Sequence, residues 1–259
     1  MIKTLRQNKF SLVLSGGGAL GMAHVGLLKD LQKYSLTPSE IVGTSMGGII
    51  GACMAIGLDY HEILSILKEF STITKWVKFS FSGNSIIDSS KIEMIFETIF
   101  KDKKLKDTLI PLKVIATDIK SGEKRVFTKD DDVLIKDALL ATMAIPGIFS
   151  EKEIDGKIYA DGFLCENLGV LEASCDVILA MDVLGKNSFE TKLPDNFLKT
   201  KNVLDMFEKS MRLLIYNQTN LIKSKIDKKL FILEPDTKEY KTFHFHKVDE
   251  IVALGEGLL

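Results

Sequence analysis

The stretch Ser11-Leu12-Val13-Leu14-Ser15-Gly16-Gly17-Gly18-Ala19-Leu20-Gly21 is followed at residue 40 by Glu40-Ile41-Val42-Gly43-Thr44-Ser45-Met46-Gly47. In each, a short apolar, β-branched run meets a glycine-rich turn that opens a helix-like segment. Leu27, Leu28 and Leu31 recur at helical spacing over about Leu20 to Tyr34, and Met46 to Ile56 carries Gly47, Gly48, Gly51, Ala52 and Ala55, small enough to let helix and sheet approach closely. Two strand-turn-helix units in succession predict an α/β fold with a parallel sheet start.

The turns also carry chemistry. In Gly43-Thr44-Ser45-Met46-Gly47 the G-x-S-x-G spacing suits a serine on a sharp strand-to-helix turn, because small neighbours let the backbone bend and the Oγ stand clear. Ser45 is therefore the candidate nucleophile. Gly16, Gly17 and Gly18 leave backbone N–H groups uncovered at a helix N-terminus, where negative charge is favoured, and are the candidate oxyanion hole.

Outward from these turns the strand-helix order continues. Ile92, Ile95, Phe96 and Ile99 form the apolar stripe of a helix capped at Asp88 or Ser89. Leu112 to Ile119 reads as a strand that turns through Ser121-Gly122-Glu123-Lys124 into Arg125 to Thr128 as a hairpin. A helix over Val133 to Ala144 ends at Pro146 and Gly147, and strands follow at Lys157 to Ala160, Asp176 to Val183 and Leu230 to Leu233. An amphipathic segment from Val203 to about Ile226 suits either a cover for the sheet or a dimer face, which leaves the oligomeric state open, and a last helix spans Val248 to Leu258. The pattern predicts a three-layer α/β/α sandwich with a mainly parallel central sheet.

Composition narrows the function. The 259 residues, 46% of them hydrophobic, suffice for one large core and predict a single domain over residues 1–259. Net charge is −1 and the lysines are interleaved with acids, so no sustained basic footprint for nucleic acid exists, although transient contact with an anionic membrane surface remains compatible. The polar Met1 to Phe10 segment has no secretory apolar core, and the longest apolar stretch, around Ile49 to Leu58, is too short to cross a bilayer. A cytoplasmic protein, at most peripheral at the inner membrane surface, is expected. Cys53, Cys165 and Cys175 lack C-x-x-C spacing and clustered histidines, which predicts reduced, mostly buried thiols and no metal site.

A serine nucleophile needs a base. Downstream histidines are confined to His61, in a helix-like stretch, and to His244 and His246, which alternate with Phe243 and Phe245; all three read as surface or packing residues. His24 reads as structural or positioning. Tyr159-Ala160-Asp161-Gly162 offers a carboxylate at a strand end, where open α/β sheets place their sites. Asp161-Gly162 equally suits a plain turn, and an ordinary carboxylate with a pKa near ~3.9 is a poor base unless burial raises it.

The set Gly16-Gly17-Gly18-Ala19-Leu20-Gly21, Gly43-Thr44-Ser45-Met46-Gly47 and Asp161-Gly162-Phe163 resembles the patatin-like phospholipase family in kind and order. The resemblance extends to Ala23-His24-Val25-Gly26-Leu27-Leu28, Ala116-Thr117-Asp118 with Ser121-Gly122, Ala144-Ile145-Pro146-Gly147-Ile148-Phe149 and Glu166-Asn167-Leu168-Gly169-Val170, covering the chain from about Ser11 onward. It implies a Ser–Asp dyad with Ser45 as nucleophile and Asp161 as general base, an oxyanion hole at Gly16 to Gly18, and a phospholipid, lysophospholipid or other acyl-ester substrate, with no cofactor and no metal. The chain departs from the family at Leu20, where Arg or Lys is common, and at Phe163, where Gly or Ala is usual. Both departures bear on substrate more than on mechanism. Trp76-Val77-Lys78-Phe79-Ser80-Phe81 reads as buried packing or as a membrane-touching lid.

Two rival readings use the same residues. Gly16-Gly17-Gly18-Ala19-Leu20-Gly21 also satisfies G-x-G-x-x-G, the fingerprint of a nucleotide-binding protein, for which the second strand should end in a ribose-binding acid. An acyltransferase would use Ser45 in the same way, with an alcohol in place of water.

Overall fold

The structure, a computed structural model, describes residues 1–75, 90–188 and 200–259. The apolar run after the polar N-terminus forms β1 (Phe10–Leu14), and the second forms β2 (Glu40–Thr44). They are followed by β3 (Leu112–Asp118), β4 (Lys124–Phe127), β5 (Lys152–Ile154), β6 (Lys157–Asp161), β7 (Val177–Met181) and β8 (Lys229–Leu233). These strands make one eight-stranded sheet in the order β5-β6-β3-β2-β1-β7-β8, with β4 paired to β3. From β3 to β8 along that order every pairing is parallel, whereas β4, β5 and β6 pair antiparallel. The hairpin expected after Asp118 is the β3–β4 pair. The strand expected at Lys157 to Ala160 is β6, whereas the three-residue β5 that pairs with it has no counterpart among the expected strands.

The helices are α1 (Ile2–Gln7), α2 (Ala23–Lys33), α3 (Met46–Ala55), α4 (Tyr60–Lys75), α5 (Ser90–Phe100), α6 (Ile135–Thr142), α7 (Thr200–Lys223) and α8 (Val248–Ala253). Alternation along the strands sorts side chains to opposite faces of the sheet. Leu12, Leu14, Ile41, Leu179 and Met181 pack on one face with Leu27 of α2, Ile50 of α3, Leu67 of α4 and Ile251 of α8. Val13, Val42, Ile115, Ile178 and Ala180 pack on the other with Val170 and with Ile222 of α7. Each such Val, Leu, Ile or Met side chain, once buried, contributes about 1.5–3 kcal/mol. This is the three-layer α/β/α arrangement, with a mainly parallel sheet, that the sequence predicts.

Several local expectations shift. The helix expected from Leu20 begins as a 3-10 turn over Gly18–Met22 before α2, the polar N-terminus is helical with Leu5 buried, and the last helix stops at Ala253. Of the three thiols only Cys53 is buried; Cys165 and Cys175 are partly exposed, which corrects the expectation for them. Ile92 and Phe96 of the predicted stripe are buried, but its cap at Asp88 or Ser89 and the Trp76 to Phe81 segment lie outside the described residues. Among the described residues no helix is long and apolar enough to cross a membrane.

Candidate active site

Ser45 stands between β2 and α3 with φ 52 and ψ −125, a positive φ held by a residue other than glycine. Such a backbone costs on the order of 1–3 kcal/mol and persists only where its surroundings over-determine it. Here they do. The Ser45 N–H donates to Thr142 Oγ1 at 2.8 Å, and the Thr142 hydroxyl in turn donates to the Ile115 carbonyl of β3. The Ser45 carbonyl already accepts the N–H of Ile49 at 3.1 Å, so the residue is fixed from both α3 and α6. Its side chain is nearly enclosed, at 5% exposure.

The sheet register brings Asp161 to the same point. On one edge of β3, β2 pairs through Thr44 with Ile115, and β6 runs in from the opposite direction to pair Asp161 with Ala116. The C-terminal ends of β2 and β6 therefore meet head to head on adjacent residues of one strand. Asp161 is 0% exposed; its N–H donates to the Ala144 carbonyl at 2.9 Å and its carbonyl accepts the Thr117 hydroxyl at 3.0 Å. Its Oδ1 accepts the Phe163 N–H at 3.0 Å, while Oδ2 has no hydrogen-bond partner. Burial pushes the carboxyl up to about 7, against the downward pull of the Phe163 N–H and the Ser45 hydroxyl. That hydroxyl faces the carboxylate without yet meeting the geometry of a formed hydrogen bond, a looseness common before substrate binds.

The glycine loop closes the third side. Gly16 is bonded reciprocally to Asn167: the Gly16 N–H donates to the Asn167 carbonyl at 3.2 Å, and Asn167 Nδ2 donates to the Gly16 carbonyl at 3.3 Å. Gly16 is thus no free donor, and the expectation of three open amides narrows to two. Its lack of a side chain matters for space, since a Cβ there would lie 2.6 Å from Asn167 Oδ1 and 3.1 Å from the Ser45 Cβ. The N–H groups of Gly17 and Gly18 have no acceptor among the described residues.

The remaining candidates sort as follows. His24 is buried on α2 with Nε2 donating to the Ser15 carbonyl at 2.8 Å, and burial brings it down to about 4, so it is a neutral prop beneath the loop. His61 is exposed, and His244 and His246 set their rings 5.4 Å apart in the C-terminal segment. Leu20 is wholly buried, and Phe163 packs against the same core. Glu40, the acid a nucleotide site would need at the end of the second strand, lies at the start of β2 and is bound to Ser11 and Lys113. Thr142 and Asn167 escaped the sequence reading as site residues: Asn167 lies in a quoted motif, but nothing local marks Thr142 as the group that fixes Ser45.

A patatin-like phospholipase family model matches residues 12–174, more than half of the chain. A patatin-like phospholipase domain-containing protein 7 of Rattus norvegicus is 29% identical across 98% of this chain, and a lysophospholipase NTE1 of Candida glabrata is 25% identical across 98%. The chain spans only 20% and 16% of those relatives. Among solved structures, VipD from Legionella pneumophila is similar at a TM-score of 0.46 and 13% identity, covering 95% of this chain and 67% of VipD. With its glycine loop, serine turn and strand-end aspartate in the matched span, the chain belongs to the patatin-like phospholipase family.

Proposed function

We propose that the protein is a serine acyl hydrolase that cleaves fatty-acyl esters of phospholipids or lysophospholipids with a Ser45–Asp161 dyad. The observation that carries the reading is the meeting of a strained serine with a wholly buried, half-satisfied carboxylate beside a glycine loop whose Gly17 and Gly18 amides have no acceptor among the described residues. Family membership and the names of the two long relatives supply the lipid-ester class.

In this mechanism Ser45 Oγ bonds to the ester carbonyl carbon as its proton passes to Asp161. The tetrahedral oxyanion accepts the N–H groups of Gly17 and Gly18. The carbon–oxygen bond to the leaving group then breaks, Asp161 returns the proton to the departing alcohol, and an acyl-Ser45 ester remains. Water gives a proton to Asp161, attacks the same carbon, and expels Ser45 Oγ, which recovers the proton as the fatty acid leaves. Positioned proton transfer contributes about 10²–10⁴-fold, and each oxyanion donor about 10²–10³-fold. A pKa near 7 suits Asp161 to both directions of transfer.

The test is fluorophosphonate labelling of wild type and Ser45→Ala read by mass spectrometry, with p-nitrophenyl butyrate turnover measured in parallel. One adduct on Ser45, and loss of both adduct and turnover in the variant, is expected. An adduct elsewhere, or turnover retained in folded Ser45→Ala, removes the assignment. Added acceptor alcohol reveals acyl transfer if it diverts product from free acid.

A further inference from the structure

Outside the dyad, α7 carries an ion pair, with Arg212 buried and Glu208 partly so, whose bonds lead to the glycine loop. Arg212, 6% exposed, sends one nitrogen to the Ser188 carbonyl at 2.7 Å and the other to Glu208 at 2.7 Å and the Tyr240 carbonyl at 2.9 Å. The same oxygen of Glu208, Oε1, accepts the Thr242 N–H at 2.7 Å and the Thr242 hydroxyl at 2.8 Å. Thr242 then reaches the loop: its carbonyl accepts the Ala19 N–H at 2.8 Å. Gly18, at φ +55, lies so close beneath that a Cβ would meet the Thr242 carbonyl oxygen at 2.5 Å and its Cγ2 at 2.6 Å.

This arrangement takes up the amide directly after the two free ones. Without an outside acceptor, the Gly17–Ala19 amides are the open first turn of a helix, able to tilt toward any anion or water. With Ala19 tied to Thr242, the two amides ahead of it keep one direction. A loop pinned only at Gly16 by Asn167 still pivots about that bond, and Thr242 is the second pin. Burial raises the Glu208 carboxyl, but the Thr242 N–H and the Arg212 charge outweigh it and hold it below the usual carboxylate range. Glu208 is thus a charged acceptor, which makes its bonds to Thr242 stronger than neutral ones.

We infer that Glu208, braced by Arg212, is a positioning residue for the oxyanion hole, acting through Thr242 on the Gly17 and Gly18 amides. The inference rests on the acyl-hydrolase reading for its kinetic consequence, but not for its structural one.

The experiment compares wild type, Glu208→Ala, Glu208→Gln and Lys113→Ala by steady-state kinetics on p-nitrophenyl butyrate and by hydrogen–deuterium exchange of the peptide spanning residues 16–22. A misaimed oxyanion hole weakens the transition state and not substrate binding, so Glu208→Ala lowers kcat about 10–100-fold with KM within about twofold. Glu208→Gln keeps an oxygen for both Thr242 donors and recovers most of that loss. Exchange in the loop peptide rises in Glu208→Ala and returns toward wild type in Glu208→Gln. Lys113→Ala, which breaks an ion pair at the far end of β2, is expected to lower the melting temperature and to keep kcat. Should Glu208→Ala fail to fold, Thr242→Val, which removes one donor and leaves the carbonyl, shows a fall of about threefold to tenfold in kcat. The inference is overturned by unchanged kcat and loop exchange in Glu208→Ala, by an equal loss of kcat in Lys113→Ala, or by a Glu208→Gln that behaves like the alanine variant. If wild type shows no turnover, or Ser45→Ala retains it, the hydrolase reading fails instead, and the exchange data alone decide whether Glu208 orders the loop.

Discussion

The two ends of β2 bury a carboxylate each and treat it in opposite ways. At the start of the strand, Glu40 accepts the Ser11 hydroxyl at 2.5 Å and the Ser174 N–H, and pairs with Lys113 at 3.1 Å. Burial raises Glu40, but these partners more than offset it and leave its pKa below the ordinary value. At the other end, where β6 runs into β2, Asp161 has one N–H on one oxygen, nothing on the other, and a pKa of about 7. The two acids thus have opposite charge preferences: Glu40 has partners enough to offset its burial, whereas Asp161 is enclosed more completely and has fewer. One end of the strand is built for stability; the other holds an unmet demand that a reaction can use.

The sharpest break of that contrast is to neutralise each acid in turn. Asp161→Asn removes the proposed base and is expected to lower kcat/KM by about 10³-fold or more. It is also expected to stabilise the fold at pH 8. A carboxyl whose folded pKa lies above its unfolded value binds its proton more tightly in the folded state, so stability falls as pH rises from about 4 to about 7 and stays low above. Asparagine escapes that penalty, by on the order of a few kcal/mol, and the advantage vanishes near pH 4. Thermal melts of both proteins at pH 4 and pH 8 measure it, and a variant that melts lower at pH 8 counts against an unpaired Asp161. Wild-type kcat/KM should drop tenfold per pH unit below about 7, because only the charged carboxylate accepts the Ser45 proton.

Glu40→Ala should do the reverse. It leaves the Ser11 hydroxyl and the Ser174 N–H without their acceptor and Lys113 without its counter-charge, and a loss of about 2–4 kcal/mol in unfolding free energy is expected, with kcat of the folded protein within about twofold of wild type. Because the Glu40 pKa is lowered by folding, the wild-type advantage is present above the unfolded carboxylate range and disappears as pH falls through the folded value. Urea titrations at pH 7 and pH 3 separate the two conditions. A large kcat defect in Glu40→Ala would erase the division of labour.

How much of this the sequence discloses follows from distance along the chain. Gly43 to Gly47 and Gly16 to Gly18 announce the serine turn and the loop because their geometry is local. Asp161 is harder: Asp161-Gly162 is a common turn, and what brings it beside Ser45 is the antiparallel register of β6 against Ala116, a long-range pairing with no local signature. The same holds for the reciprocal Gly16–Asn167 bonds, which take one amide out of the expected oxyanion set, and for Thr242, more than two hundred residues from the loop it pins. Parallel strands were legible as continuous apolar runs such as Val177-Ile178-Leu179-Ala180-Met181, whereas the short β5, with Lys152 and Glu153, is not.

The smallest expected effect concerns what holds Ser45 in its strained turn. Thr142 satisfies the Ser45 N–H and the Ile115 carbonyl with one hydroxyl, linking the elbow to the strand on which β2 and β6 meet. Valine at 142 keeps the volume and leaves both backbone groups unpaired, at a cost of about 1–3 kcal/mol. Part of that cost should appear as relaxation of the Ser45 backbone toward an ordinary φ, which swings Oγ away from Asp161 and the free amides. Thr142→Val is therefore expected to lower kcat about tenfold with KM little changed, since no group that binds substrate has moved. Thr142→Ser, which restores the hydroxyl and omits only a methyl, should recover most of the rate. If Thr142→Val loses stability but keeps full kcat, the Ser45 turn is held by β2 and α3 alone, and the strain at the chemical end of the strand is independent of α6.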